Sequence, residues 1–221
     1  MSALQEVRDR VAAAAVRVGR HPDEITLVAV SKGAGDDAVA NAYAVGARDF
    51  GENRADALID RAPRLPPDIR WHFVGRLQGN KVARVRPFVH LLHSLDRPDL
   101  ARYWGKGEGP IPGALVEVNL AAQPNKAGVS PAAAGALVAA AAGCGIEVRG
   151  LMTMAPLGAP GEAARPYFAA LRDLRDRLLP AHPGLRELSM GMTDDYEVAV
   201  EEGATILRVG RAIFPSSPKE G

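Results

Sequence analysis

Only one cysteine, Cys144, occurs among 221 residues, so no internal disulfide can form. Its neighbours Ala141, Ala142, Gly143, Gly145 and Ile146 read as a helix end running into a strand, and the thiol is expected to be buried and inert. Charge of either sign is not in surplus. The 27 basic residues against 26 acidic ones give a formal net charge of +1, which argues against nucleic acid or a membrane surface as partner. No apolar run is long enough to span a bilayer. The N-terminal segment interleaves Glu6, Arg8, Asp9, Arg10 and Arg17 with its apolar residues, unlike a signal peptide, and a reducing, cytoplasmic location is the expectation. GxGxxG, GxSxG and P-loop motifs are missing, and no pair of His, Cys, Asp or Glu has metal-ligand spacing. His90 and His93, three positions apart on a predicted strand, would face opposite sides of it. Lysine is scarce as well: Lys32, Lys81, Lys106, Lys126 and Lys219 are the only ones among the 27 basic residues.

What is present is a repeating alternation. Short runs rich in Val, Ile and Leu predict strands at Ile25–Ser31, Arg48–Gly51, Arg70–Gly75, His90–Ser94, Ala114–Asn119, Glu147–Met154, Glu187–Met190 and Thr205–Gly210. Between them, helical periodicity covers Asp36–Val45, Arg54–Ala62, Asn80–Val85, Pro98–Trp104, Pro131–Ala142, Gly161–Leu179 and Asp194–Glu201. Asp36 and Asp194 suit helix N-termini, while Gly46, Gly143 and Gly203 suit C-terminal caps. Eight strands alternating with helices in this length predict an α/β fold, a single (β/α)8 TIM-type barrel forming one domain over residues 1–221. A helix over Ser2–Val18 precedes the first strand as an extra element, closing the bottom of the barrel or packing on its side. Ala62–Asp68, Gly105–Gly113 and Leu157–Gly161 read as surface loops.

Reactive groups of such barrels gather where strands end at their C-terminal side. The first strand ends in Lys32, the second in Gly51, Glu52, Asn53 and Arg54, the sixth in Met152, Thr153 and Met154, and the eighth in Arg208, Val209, Gly210 and Arg211. An amine that can lose its proton is what a carbonyl-binding site requires, and arginine cannot supply one. On position alone, a solvated lysine at a strand exit is an equal reading of Lys32. Ser189, Gly191, Met192 and Thr193 lead into a helix, and Gly210 with Arg211 follows the last strand. These small residues expose backbone N–H groups between the last two loops, where this fold commonly binds phosphate. Asp194 and Asp195 would repel a phosphate unless they cap their own helix. His72 reads as a core imidazole with one satisfied hydrogen bond.

The segments LVAVSK, FGENR, WHFVGRLQGNK, VEVNLAAQPNKAGV, GLMTMAP and LSMGMTDDYEVAVEEGATILRVGRAIF run nearly end to end and resemble the YggS/PROSC family of pyridoxal phosphate homeostasis proteins. The resemblance implies a barrel related to the N-terminal domain of alanine racemase, with pyridoxal 5′-phosphate held as a Schiff base on Lys32. It further implies that Ser189, Gly191, Met192, Thr193, Gly210 and Arg211 surround the phosphate and that Arg208 meets the pyridine nitrogen. Asn53 and His72 would lie near the ring and its hydroxyl, and Met152 joins this set from the end of strand six. Two positions bear on the comparison: Ala34 stands where many members carry a second lysine, and Lys126 in the NKAG stretch matches another family lysine, with a plain loop lysine as an equal reading. A permanent cation beside the pyridine nitrogen disfavours its protonation and weakens the ring as an electron sink. The chain is also too short to supply the second domain from which alanine racemase draws a tyrosine acid/base. The expected function is therefore storage, buffering or delivery of pyridoxal phosphate by a non-enzymatic monomer, with cofactor-free enzymes as recipients. A slow amino-acid racemase and an aldolase-like barrel that captures a sugar phosphate on Lys32 are the alternatives.

Overall fold

Each of the eight apolar runs must hide one face against helices and the other inside a closed sheet, and the pattern of burial shows how they do so. The computed structural model describes residues 2–123, 126–156 and 158–215. Its strands are β1 (Thr26–Val30), β2 (Asp49–Glu52), β3 (Arg70–Phe73), β4 (Val89–Leu95), β5 (Gly113–Glu117), β6 (Val148–Met152), β7 (Glu187–Ser189) and β8 (Ile206–Val209). All neighbours pair in parallel in chain order, and β8 closes on β1, with Val28 opposite Arg208. The expected eight-stranded barrel is the fold observed.

Helices α1 (Ala3–Arg17), α2 (Asp36–Ala44), α3 (Ala55–Arg61), α4 (Val82–Val85), α5 (Pro98–Gly105), α6 (Ala134–Gly143), α7 (Arg165–Leu178) and α8 (Tyr196–Glu201) surround the sheet. Their apolar faces meet the outward residues of the strands, such as Ala29, Phe50, Trp71, Leu92, Leu151 and Leu207, in one continuous core. The N-terminal helix α1 is the side-packing alternative: it lies along α8, where Arg10 and Arg17 pair with Glu197 and Glu201. Ser2 accepts a hydrogen bond from the Gln5 amide and caps it.

Several local expectations shift. The second strand starts one residue later than predicted and takes in Glu52. Gly145, with φ +77°, carries the left-handed conformation after α6, whereas Gly143 is still helical. Cys144 is only partly buried. The helical stretches beginning at Asn80, Pro131 and Gly161 each open with a 3-10 turn before the α-helix proper. Helix α8 begins at Tyr196, not Asp194; Asp195 stands at its N-cap position, but neither aspartate's side chain bonds the amides of the helix. Leu157, the first residue of one expected loop, and Lys219 lie outside the described residues.

Successive side chains on a strand point to opposite faces, so the residues alternating with the outward core fill the barrel. Val28, Leu91, Leu115, Met152 and Ile206 form a small inner apolar cluster. Moving two residues along the same strands gives His93 after Leu91, Glu117 after Leu115 and Arg208 after Ile206. All three are buried. The upper half of the interior is thus polar, where such barrels ordinarily hold branched apolar side chains.

Candidate functional site

Arg208 lies at the centre of this polar half, 5% exposed. It donates from Nη1 to Ser189 Oγ at 2.5 Å and from Nη2 to the Thr153 carbonyl at 2.9 Å. Thr153 is fixed in turn by its hydroxyl, which donates to the Val118 carbonyl at 2.8 Å. Burial lowers the Arg208 pKa to about 10, against the attraction of Glu117 and Asp195, so the guanidinium stays a cation at neutral pH. Glu117 faces the same space. Burial, followed by the nearby Asp96 charge, pushes its carboxyl up to about 7.

Lys32 sits above this layer. The alternation that turns Val28 and Val30 inward carries Ser31 outward, where its hydroxyl donates to the Gly51 carbonyl and accepts from Arg61. Lys32 follows, exposed, in the turn that leaves β1. Val28 lies opposite Arg208, and Lys32 follows four residues later, two beyond the end of β1. It also borders a cleft of about 620 Å³ that opens sideways between Leu4, Ala42, Val45 and Phe214. The turn is held by Arg61, which donates to the Ser31 and Ala34 carbonyls and pairs with Asp36 at 2.9 Å and with the buried Glu52 at 3.4 Å. Glu52 points outward, and its Oε1 accepts from the amides of Asn53 and Arg54 at the end of β2.

Asn53 is held from the other side by Gly75, where a Cβ would approach the Asn53 carbonyl oxygen to 2.0 Å. Its Oδ1 is buried and has no hydrogen-bond partner among the described residues, an arrangement that costs free energy until a donor arrives.

On the opposite wall, Gly191 has φ +92°, and a Cβ there would come within 2.5 Å of Ala199 Cβ. The amides of Thr193, Gly210 and Arg211 donate to no acceptor among the described residues. The Met192 amide instead donates to Asp195 Oδ1 at 2.6 Å, and Arg211 pairs with Asp194. The two aspartates are therefore engaged by the Met192 amide and by Arg211 rather than by the amides of their own helix. Lys126 lies exposed in the turn after β5.

The sequence-derived residues fall into two levels. Lys32, Asn53, Gly191, Met192, Thr193, Gly210 and Arg211 border the mouth, whereas Arg208, Ser189, His72 and Met152 lie beneath it. His72 has both ring nitrogens engaged, Nε2 with Asp49 at 3.0 Å and Nδ1 with His93 at 2.8 Å. It thus has two partners rather than one and no polar atom left for a ligand. Ser189 Oγ is likewise taken, by Arg208 and by His93 Nδ1 at 2.8 Å. The expectation for His90 and His93 needs correction, since both rings lie against His72, at 5.6 and 5.1 Å between centroids. A register shift between β3 and β4 at Trp71/His72 inserts His90 as an extra residue and removes the simple alternation.

A protein of Aquifex aeolicus named pyridoxal phosphate homeostasis protein is 38% identical over 217 residues, covering 96% of this chain and 95% of that one. The chain belongs to the pyridoxal phosphate homeostasis protein family. No family model matches it. A solved structure similar to this member of the homeostasis family is PipY of Synechococcus elongatus with PLP bound, at TM-score 0.78 and 35% identity over 94% of this chain and 99% of that one. Alanine racemase of Corynebacterium glutamicum gives TM-score 0.69 at 16% identity, covering 99% of this chain and 63% of that one, a likeness of fold alone.

Asp49, His93 and Glu117 are the polar residues of this homeostasis-family barrel that sequence reasoning passed over. The signal was available for two of them. His93 and Glu117 each stand two positions beyond an inward apolar residue, near the C-terminal end of a strand. Asp49 was placed by neither motif nor strand end.

Proposed function

We infer that the chain binds pyridoxal 5′-phosphate at the mouth of the barrel and serves to store, buffer or deliver it, rather than to catalyse a reaction with it. The observation that carries this reading is Arg208, a buried cation fixed by Ser189 and the Thr153 carbonyl directly below the mouth. The residues present fit the cofactor in three respects. The unpartnered Asn53 Oδ1 is an acceptor suited to a ring hydroxyl. The free amides of Thr193, Gly210 and Arg211 are donors suited to a phosphate. Lys32, on the wall above Arg208, is the amine that would hold the cofactor.

When bound, the cofactor supplies an aldehyde that a primary amine captures reversibly and a ring that can accept electrons. Arg208 can only donate hydrogen bonds, so it leaves a ring nitrogen unprotonated and discourages carbanion chemistry. Gly191 lets the backbone of the β7 loop come close to its neighbours, and Asn53 fixes orientation. A monomer that passes the cofactor to cofactor-free enzymes fits this arrangement. Among the described residues no helix is long and apolar enough to cross a membrane.

The test is direct. Wild-type protein incubated with pyridoxal phosphate and then borohydride should carry the reduced cofactor on the peptide containing Lys32, and Lys32→Ala should carry none. Labelling elsewhere, or no labelling of the wild type, sinks the proposal. Exchange of amino-acid α-protons in deuterated water at ordinary turnover rates, lost in Lys32→Ala, would instead make the protein an enzyme.

A further inference from the structure

Five strands contribute to one unbroken line of hydrogen bonds through the barrel. Asp49 Oδ1 meets His72 Nε2 at 3.0 Å, His72 Nδ1 meets His93 Nε2 at 2.8 Å, His93 Nδ1 meets Ser189 Oγ at 2.8 Å, and Arg208 donates to that oxygen at 2.5 Å. His72, His93, Ser189 and Arg208 are all buried. The two ends of the line have fixed roles. Arginine only donates. Burial pushes the Asp49 carboxyl up, but hydrogen bonds from His72 and Arg70 outweigh it and hold the group well below the usual range, so it only accepts.

With the ends fixed, one assignment satisfies every link with neutral rings. Ser189 accepts from Arg208 and donates to His93 Nδ1; His93 donates from Nε2 to His72 Nδ1; His72 donates from Nε2 to Asp49. The opposite tautomers would set an unprotonated His72 Nε2 against the carboxylate. Burial holds His93 neutral, as a line of neutral rings requires. Ser189 thereby keeps a lone pair aimed at Arg208 and its own proton aimed away.

We propose that Asp49, His72 and His93 are positioning residues that act through Ser189 to hold the Arg208 guanidinium in place for the cofactor, from the far end of the barrel. The role rests on the cofactor reading above and deepens it: these residues touch Arg208 only through Ser189 and would not touch the ligand.

Nitrogen-15 NMR of the ligand-free protein tests the direction without any cofactor. Both His72 and His93 should be neutral Nε2–H tautomers at pH 7; an Nδ1–H tautomer or a charged ring at either position overturns the proposal. The second arm measures pyridoxal phosphate binding. His93→Leu breaks the line and should weaken binding about tenfold, whereas His93→Gln, which can still accept from Ser189 and donate to His72, should restore most of it. Asp49→Leu should weaken binding and change the His93 tautomer signal, although Asp49 belongs to the opposite end of the line. Equal binding by His93→Leu and wild type refutes the positioning role, as does a loss in His93→Gln as large as in His93→Leu. If the tautomers are as stated but wild-type protein takes up no pyridoxal phosphate, it is the cofactor reading that fails.

Discussion

Replacing Glu117 with glutamine removes a carboxyl group that the fold holds in an unfavourable place. Glu117 is 4% exposed, faces inward at the end of β5 and makes no side-chain hydrogen bond among the described residues. Its ordinary pKa of 4.5 is raised to about 7, first by burial and then by Asp96, with Arg208 and Arg76 pulling the other way. At about 1.4 kcal/mol per pKa unit, that displacement corresponds to roughly 3 kcal/mol. Because the folded-state value is the higher one, the associated stability is fully present below pH 4.5 and is lost as the pH rises through 7. Glutamine has no such dependence. Urea unfolding of the two ligand-free proteins from pH 4.5 to 8.5 should therefore show the variant gaining on wild type by about 3 kcal/mol across the range. His90 and His93, both held below the usual imidazole value, bias wild-type stability in the opposite sense over part of this interval. The difference between the two proteins therefore carries the test. Parallel curves would refute the reasoning, because they would mean that Glu117 ionises as freely in the folded barrel as in the unfolded chain.

Arg61→Ala should lower stability by about 3 kcal/mol in denaturant titrations, since the buried Glu52 carboxylate loses its cation. The same variant should also capture pyridoxal phosphate more weakly, because Arg61 holds the carbonyls of Ser31 and Ala34 on either side of Lys32. Gly191→Ala should cost about 1–3 kcal/mol for backbone strain at φ +92°, and the crowding against Ala199 should reduce phosphate-ester binding by calorimetry. Binding unchanged in Gly191→Ala would remove the β7 loop from the phosphate site.

The barrel was legible because most strands lie in short runs rich in Val, Ile and Leu followed by a helix or a long connection; β2, with the four residues DFGE, carries little of that pattern and was placed by the spacing of its neighbours. Lys32 and Arg208 were legible because they stand at or near strand ends. What stayed hidden is the part of the interior where polar residues replace apolar ones. His93 lies within a strand otherwise rich in leucine, and the register shift beside His72 cannot be seen in the sequence of either strand alone. Asp49 precedes Phe50 in what reads as the start of a weak strand, and only the pairing of β2 with β3 brings it to His72. The two aspartates after Thr193 were misassigned for a related reason. Their partners, Met192 and Arg211, are a loop amide and a residue beyond the following strand.

The closure of β8 on β1 has a consequence for how the protein comes into being. Lys32 leaves the first strand and Arg208 lies on the last, and they come to the same stretch of wall only when the two ends of the sheet meet. Contacts between residues so far apart in sequence form late, after the cost of closing a long loop has been met. A nascent chain therefore exposes Lys32 well before Arg208 has been synthesised. A chain that stalls or misfolds before β8 docks has no assembled barrel mouth in which to retain a reactive aldehyde.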